Sequence, residues 1–123
     1  MDIAEREFTV AEARALIPQV REHAAEIVRL RADLAELTLD LRVRGASERG
    51  GIPEVKASEA RLDEEIAWFT GQGIEIKGLA PFLIDFPAVL EGRSVRLCWL
   101  EGDEELAWYH RTDLGFAGRR PLE

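Results

Sequence analysis

Three side chains in this 123-residue chain are histidine or cysteine, and they mark where chemistry would be sought: His23, Cys98 and His110. An imidazole titrates near neutral pH, so either histidine can act as a general base or as a ligand for a transition-metal ion such as zinc, copper or nickel. His110 follows Trp108-Tyr109 and precedes Thr112-Asp113, so Trp108, Asp113 and the later Arg119 join it as candidate ligand-binding residues. If His23 and His110 converge, they form the heart of a metal site that Glu22, Glu26 or Asp113 can complete. The competing reading is structural: His110 as a core-edge residue bonded to backbone, and His23 as a polar residue that sets helix register. Neither histidine falls in an HxxxH, CxxC or HExxH motif. Cys98 becomes a nucleophile only with a base within hydrogen-bond reach. Asp85, Arg96, Tyr109 and Arg111 form a further group, readable as solvated cross-strand ion pairs or as a surface for an anion or a subunit. Gly71-Gln72-Gly73 lacks the strand and helix that a phosphate-cradling loop needs.

The elements that must position these residues are legible. Thr9-Val10-Ala11-Glu12 is a capping box, in which the Thr9 hydroxyl accepts from the Glu12 N–H and the Glu12 carboxylate reaches back. From there Ala13, Val20, Ile27, Leu34 and Leu41 recur every seven residues, with Leu16, His23, Leu30 and Leu37 three later. That is an a/d seam along one long helix, widened at its start by Ile17 and Ala24. Pro18 lies inside it and is expected to bend it. The run Gly45–Gly51 turns the chain, Pro53 suits the first turn of a second helix, and Gly71 and Gly73 end it. The two helices are expected to pair antiparallel over residues 8–72, with the second reaching back to the neighbourhood of His23. Leu34 and Leu37 should then be buried against Leu62 and Ile66. The stripe Ala13, Leu16, Ile17, Val20 extends past that reach and needs the sheet, or a second copy, as cover.

From Ile74 the period changes to alternation. Residues 74–77 read as a short edge strand. Residues 82–86 read as a strand that Pro87 confines to an edge or a bulge. Residues 94–100 and 105–111 read as the two arms of a hairpin. Turns centred on Gly92-Arg93 and Gly102-Asp103 pair Phe86 with Trp99, Trp99 with Leu106, Leu97 with Trp108 and Val95 with His110. That register puts His110 on the apolar face, where it should look into a concave pocket walled by Trp108 and find a polar partner in Thr112-Asp113, Arg119 or His23. Cys98 falls on the opposite face with Asp85, Arg96, Tyr109 and Arg111. A slip of one residue in the Glu101–Glu105 turn would bring Cys98 and His110 to the same face.

Length and composition bound the rest. One domain spans residues 1–123, with 46% hydrophobic and 33% charged residues. A net charge of -8 disfavours nucleic acid as a partner. The charged start Met1–Glu7 lacks an apolar signal region, and no apolar run is long enough to span a membrane, so no membrane partner is expected. A single cysteine suits the cytoplasm.

The residues Phe8-Thr9 with Glu12-Ala13, Leu16-Ile17-Pro18, Lys77-Gly78-Leu79, Asp85-Phe86-Pro87, Cys98-Trp99, Trp108 with His110, and Gly115-Phe116-Ala117-Gly118-Arg119 with Pro121-Leu122 resemble an uncharacterised bacterial family, the domain of unknown function 2203. The resemblance runs nearly end to end and carries no activity. The expectation is therefore an α+β fold: a long antiparallel helical hairpin packed on a small antiparallel β-meander, with residues 73–123 forming the meander and a C-terminal strap. The expected function is a cytoplasmic binding or interaction module that is a homodimer. The alternative is a metal- or small-ligand-binding protein or enzyme with its site around His110 and His23.

Overall fold

A computed structural model describes residues 6–123. Residues 1–5, most of the charged start, lie outside that range. Helix α1 (Val10–Arg44) opens on the capping box, with Glu12 N–H donating to Thr9 Oγ1 at 3.0 Å and Thr9 N–H to Glu12 Oε1 at 2.8 Å. It runs through Pro18 without interruption and ends at Gly45 in the left-handed region, which glycine adopts without steric cost. Helix α2 (Ile52–Gly71) starts with proline in its first turn and folds back along α1. No helix among the described residues is long and apolar enough to cross a membrane.

A five-stranded antiparallel sheet follows in simple sequence order: β1 (Glu75–Leu79), β2 (Phe82–Leu90), β3 (Arg93–Leu100), β4 (Trp108–Arg111) and β5 (Arg120–Pro121), with a 3-10 turn at Phe116–Gly118. Its inner face carries Ile84, Phe86, Ala88, Val95, Leu97 and Trp99, which form one core with Ala13, Ile17, Val20, Ala24 and Ile27 of α1 and Phe69 of α2. This is the expected α+β architecture. The sheet itself covers the stripe at Ala13, Ile17 and Val20, so that stripe calls for no second copy. In the hairpin Leu37 is buried, at 3% exposure, but Leu34 is only half-buried, as are Leu62 and Ile66.

Two registers differ from the sequence expectation. The β2–β3 turn is Glu91-Gly92, both residues at positive φ (52° and 78°), so Leu90 pairs with Arg93 and Phe86 with Leu97. Two residues on left-handed backbone make the tight turn that strand twist favours. The offset from expectation is two residues, so no side chain changes face. Strand β2 is central rather than an edge. Pro87 is tolerated there because β1 stops at the Glu75–Asp85 pair, and the Pro87 carbonyl instead accepts from Phe8 N–H at 2.7 Å.

Between β3 and β4 the offset is one residue, and its consequences are larger. The chain makes a loop from Glu101 to Ala107 rather than a two-residue turn. Asp103 organises it: its side chain accepts from Leu100 N–H at 3.0 Å and its carbonyl from Trp99 Nε1 at 3.1 Å. Leu106 is buried in the core as a loop residue. Strand β4 then pairs Cys98 with Trp108, Leu97 with Tyr109 and Arg96 with His110. Trp108 and His110 therefore lie on the outer face, and Tyr109 packs against the core.

Candidate functional site

The slip assembles a site on the outer face of the sheet, away from the helices. Alternation along β2 turns Asp85 to that face, and β1, β3 and β4 bring Glu75, Cys98, Arg96 and His110 beside it. The segment after β4 folds over this patch. Thr112 N–H donates to the Ser94 carbonyl, and Arg119 lies over the rings of Trp108 (4.8 Å) and Phe116 (3.8 Å), which straps the 3-10 turn down. Between strap and sheet is a cavity of about 480 Å³. Its polar wall is Glu75, Lys77, Asp85, Arg96 and His110; Leu83, Leu114 and Phe116 supply apolar surface.

Asp85 and His110 are both buried, at 3% and 5% exposure. His110 Nδ1 stands 2.7 Å from the Arg111 carbonyl, which only accepts, so Nδ1 carries a hydrogen and donates it. His110 Nε2 stands 3.2 Å from Asp85 Oδ2. Two lone pairs would repel there, so this contact holds a second proton, and the pair as a whole is neutral. The other oxygen, Asp85 Oδ1, receives no hydrogen bond of ordinary geometry, alone among the buried side-chain nitrogen and oxygen atoms of the described residues, and the weak S–H donor of Cys98 is the group beside the carboxyl. Burial pushes the Asp85 carboxyl above its ordinary value, against the opposing pull of His110. The imidazole is anchored through Nδ1, and both it and the carboxyl group line the cavity. The carboxyl can hold a proton and offer an oxygen to a bound molecule.

The charges around the dyad are organised by Glu75, whose carboxylate receives Arg96 Nε at 2.9 Å and Lys77 Nζ at 3.2 Å. Burial works against Glu75 ionisation, but Arg96 and Lys77 outweigh it and hold the carboxyl below its ordinary value. Arg96 also donates to Thr112 Oγ1 at 3.0 Å, which ties the strap to the sheet and leaves that guanidinium nearly saturated. Lys77, half exposed, keeps donors free. Cys98 is buried beside the dyad, and burial, reinforced by the Asp85 carboxylate, pushes its thiol up to about 12. Although it shares the face of His110, Cys98 stays protonated at neutral pH and is no nucleophile.

The remaining candidates lie elsewhere. His23 is half-buried in the helical layer, where Nδ1 meets Glu65 Oε2 at 2.6 Å and the ring stacks on Trp68 at 4.1 Å. The helices pack on the inner face of the sheet, so His23 and His110 stand on opposite sides of it and do not form a joint metal site. Glu26 is paired with Arg29 and Arg61, Glu22 is exposed, and Asp113 is held by Arg111 at 2.6 Å, which lowers its carboxyl. Among the described residues no group of three or more His, Cys, Asp or Glu side chains is placed to hold a metal ion. Trp108 and Arg119 brace the strap rather than wall the cavity, and the partners of His110 are Asp85 and its neighbour's carbonyl. Sequence reasoning placed Asp85 on the outer face but did not pair it with His110. The available signal was one acid inside the otherwise apolar run Phe82-Leu83-Ile84-Asp85-Phe86-Pro87.

No curated protein and no solved structure matches the chain. A family model does, over residues 6–122, and by that match the chain belongs to an uncharacterised conserved family, DUF2203.

Proposed function

We propose that this protein binds a small polar molecule in the cavity between the sheet and the C-terminal strap, with Asp85 as the group that recognises it. One observation carries the reading: a buried carboxyl oxygen without a partner in a cavity wall, on a side chain whose other oxygen is held by an anchored histidine. Leaving a buried polar atom unsatisfied costs about 1–3 kcal/mol, and a stable fold retains such an atom more readily where a ligand uses it. The ligand class follows from the wall. It offers an N–H or O–H to Asp85 Oδ1, an acceptor or negative group to the free donors of Lys77, and a flat or apolar part to Leu83, Leu114 and Phe116. In this reading the protein works in the reducing cytoplasm, where its one cysteine stays a free buried thiol.

The test is a saturation-transfer NMR screen of small amines, amides, alcohols and amino acids against wild type and Asp85→Asn. Binders of the wild type that lose contact with a folded Asp85→Asn variant support the reading. A wild type that binds none of them, or binders that the variant holds equally well, would refute it.

A further inference from the structure

Helix α1 has a second apolar face that no other part of the described chain covers. Ala25, Val28, Ala32, Ala35, Leu39 and Val43 follow one another at steps of three and four residues. At 3.6 residues per turn they form one stripe over about five turns, roughly 160° round the helix from the seam of Ile27, Leu30, Leu34 and Leu37. Val28 is half-buried and the others are exposed, Leu39 by 48% and Val43 by 68%. The stripe stops at Arg21 on one side and at the helix end on the other.

We infer that this face docks a second copy of the chain, antiparallel, about a twofold axis between Ala32 and Ala35. The pattern is complementary to its own reverse. Under that axis Ala32 meets Ala35 of the other copy, and Val28 meets its Leu39. Small side chains at the crossing allow a close approach of the two axes, and larger ones fill the space toward both ends. Charge points to the same occupant. Arg29 and Glu36 occupy equivalent heptad positions beside the stripe, so the twofold sets Arg29 of each copy beside Glu36 of the other. Arg29 and Glu36 are 49% and 58% exposed; each also has a partner within its own chain, Glu26 and Asp33 for Arg29 and Arg49 for Glu36, which the cross-dimer pair joins. Between Arg21 and Arg44 five arginines and five carboxylates cancel, in a chain whose net charge is -8. A helix that is neutral overall in an acidic chain, with Arg29 and Glu36 meeting across its own twofold, fits another copy of itself better than a strongly acidic or basic partner. The cavity lies on the far side of the sheet, so this surface and the ligand site can be tested apart.

Sedimentation velocity at tens of micromolar is expected to give a dimer for the wild type and a monomer for Ala35→Glu with Leu39→Glu. Both positions are exposed and tolerate a helix-forming residue, so helix content and melting of the dilute protein should be kept. Arg29→Glu alone should weaken the dimer on the order of tenfold, and adding Glu36→Arg in the same chain should restore it. Spin labels at Arg21→Cys should lie about 37 Å apart, against roughly 10 Å for parallel helices. A wild type that stays monomeric would overturn the inference, as would a dimer that survives both glutamates, or an Arg29→Glu defect that Glu36→Arg leaves unrepaired.

Discussion

Replacing Asp85 with asparagine separates a carboxyl group kept for a ligand from one kept for the fold. A buried ion pair broken on one side leaves an uncompensated charge and costs about 3–5 kcal/mol. The Asp85–His110 pair is different, because hydrogen-bond accounting makes it neutral as a unit. In Asp85→Asn the amide N–H can replace the shared proton and donate to His110 Nε2, while the unpartnered oxygen stays as it was. The stability change at neutral pH is therefore expected within about 1 kcal/mol of zero, or in the direction of greater stability, which is about 4 °C in melting temperature for a chain of this size. The pH dependence sharpens the contrast. The folded protein holds the Asp85 proton more tightly than the unfolded chain, so the contribution of Asp85 is complete below the ordinary aspartate range and is lost as pH rises through its higher folded value. Asparagine has no such dependence, and the variant should gain on wild type as pH rises. Urea denaturation of both proteins from mildly acidic to mildly alkaline pH measures this difference, in which the other carboxylates cancel. A loss of 3 kcal/mol or more at neutral pH, or a variant that falls behind as pH rises, would show that the dyad is a structural ion pair.

Other substitutions follow from burial and contact. Leu37→Ala should cost about 2–5 kcal/mol in urea denaturation, whereas half-buried Leu34→Ala should cost clearly less; equal losses would contradict the packing of the hairpin. Cys98 should resist iodoacetamide in the native protein at mildly alkaline pH and react on unfolding, because its thiol is buried and pushed up to about 12; fast native labelling would contradict its placement. Arg119→Ala removes the guanidinium between Trp108 and Phe116 and should raise hydrogen exchange across residues 112–119, with a global loss near 1 kcal/mol. Uniform loosening of the whole sheet would mean the strap is not a separate element.

The elements were legible where local chemistry decides them. The capping box, the seam of α1 and the return of α2 to His23 all depend on spacing within a few turns, and the stacking of His23 on Trp68 marks the meeting point. Sheet faces were harder, because a register error of two is silent and an error of one inverts every side chain. Leu106 read as a strand residue because it is apolar and continues the alternation, yet it is a loop residue that dips into the core while Asp103 closes the loop around it. That single residue moved His110 from the apolar face to the side of Asp85. The outer stripe of α1 was present at regular spacing but is interleaved with ten charges, and one seam had already accounted for the helix.

Asp85 is a buried acid, and in the proposed function one of its oxygens serves a bound molecule. The most direct test of that role is a carbon-13 NMR titration of the Asp85 carboxyl in the free protein, with Asp85→Asn assigning the resonance. The carboxyl should titrate above the ordinary aspartate range, and should move down when an N–H or O–H donor from the ligand screen is added. A carboxyl that titrates at or below the ordinary aspartate range in the free protein would contradict that role.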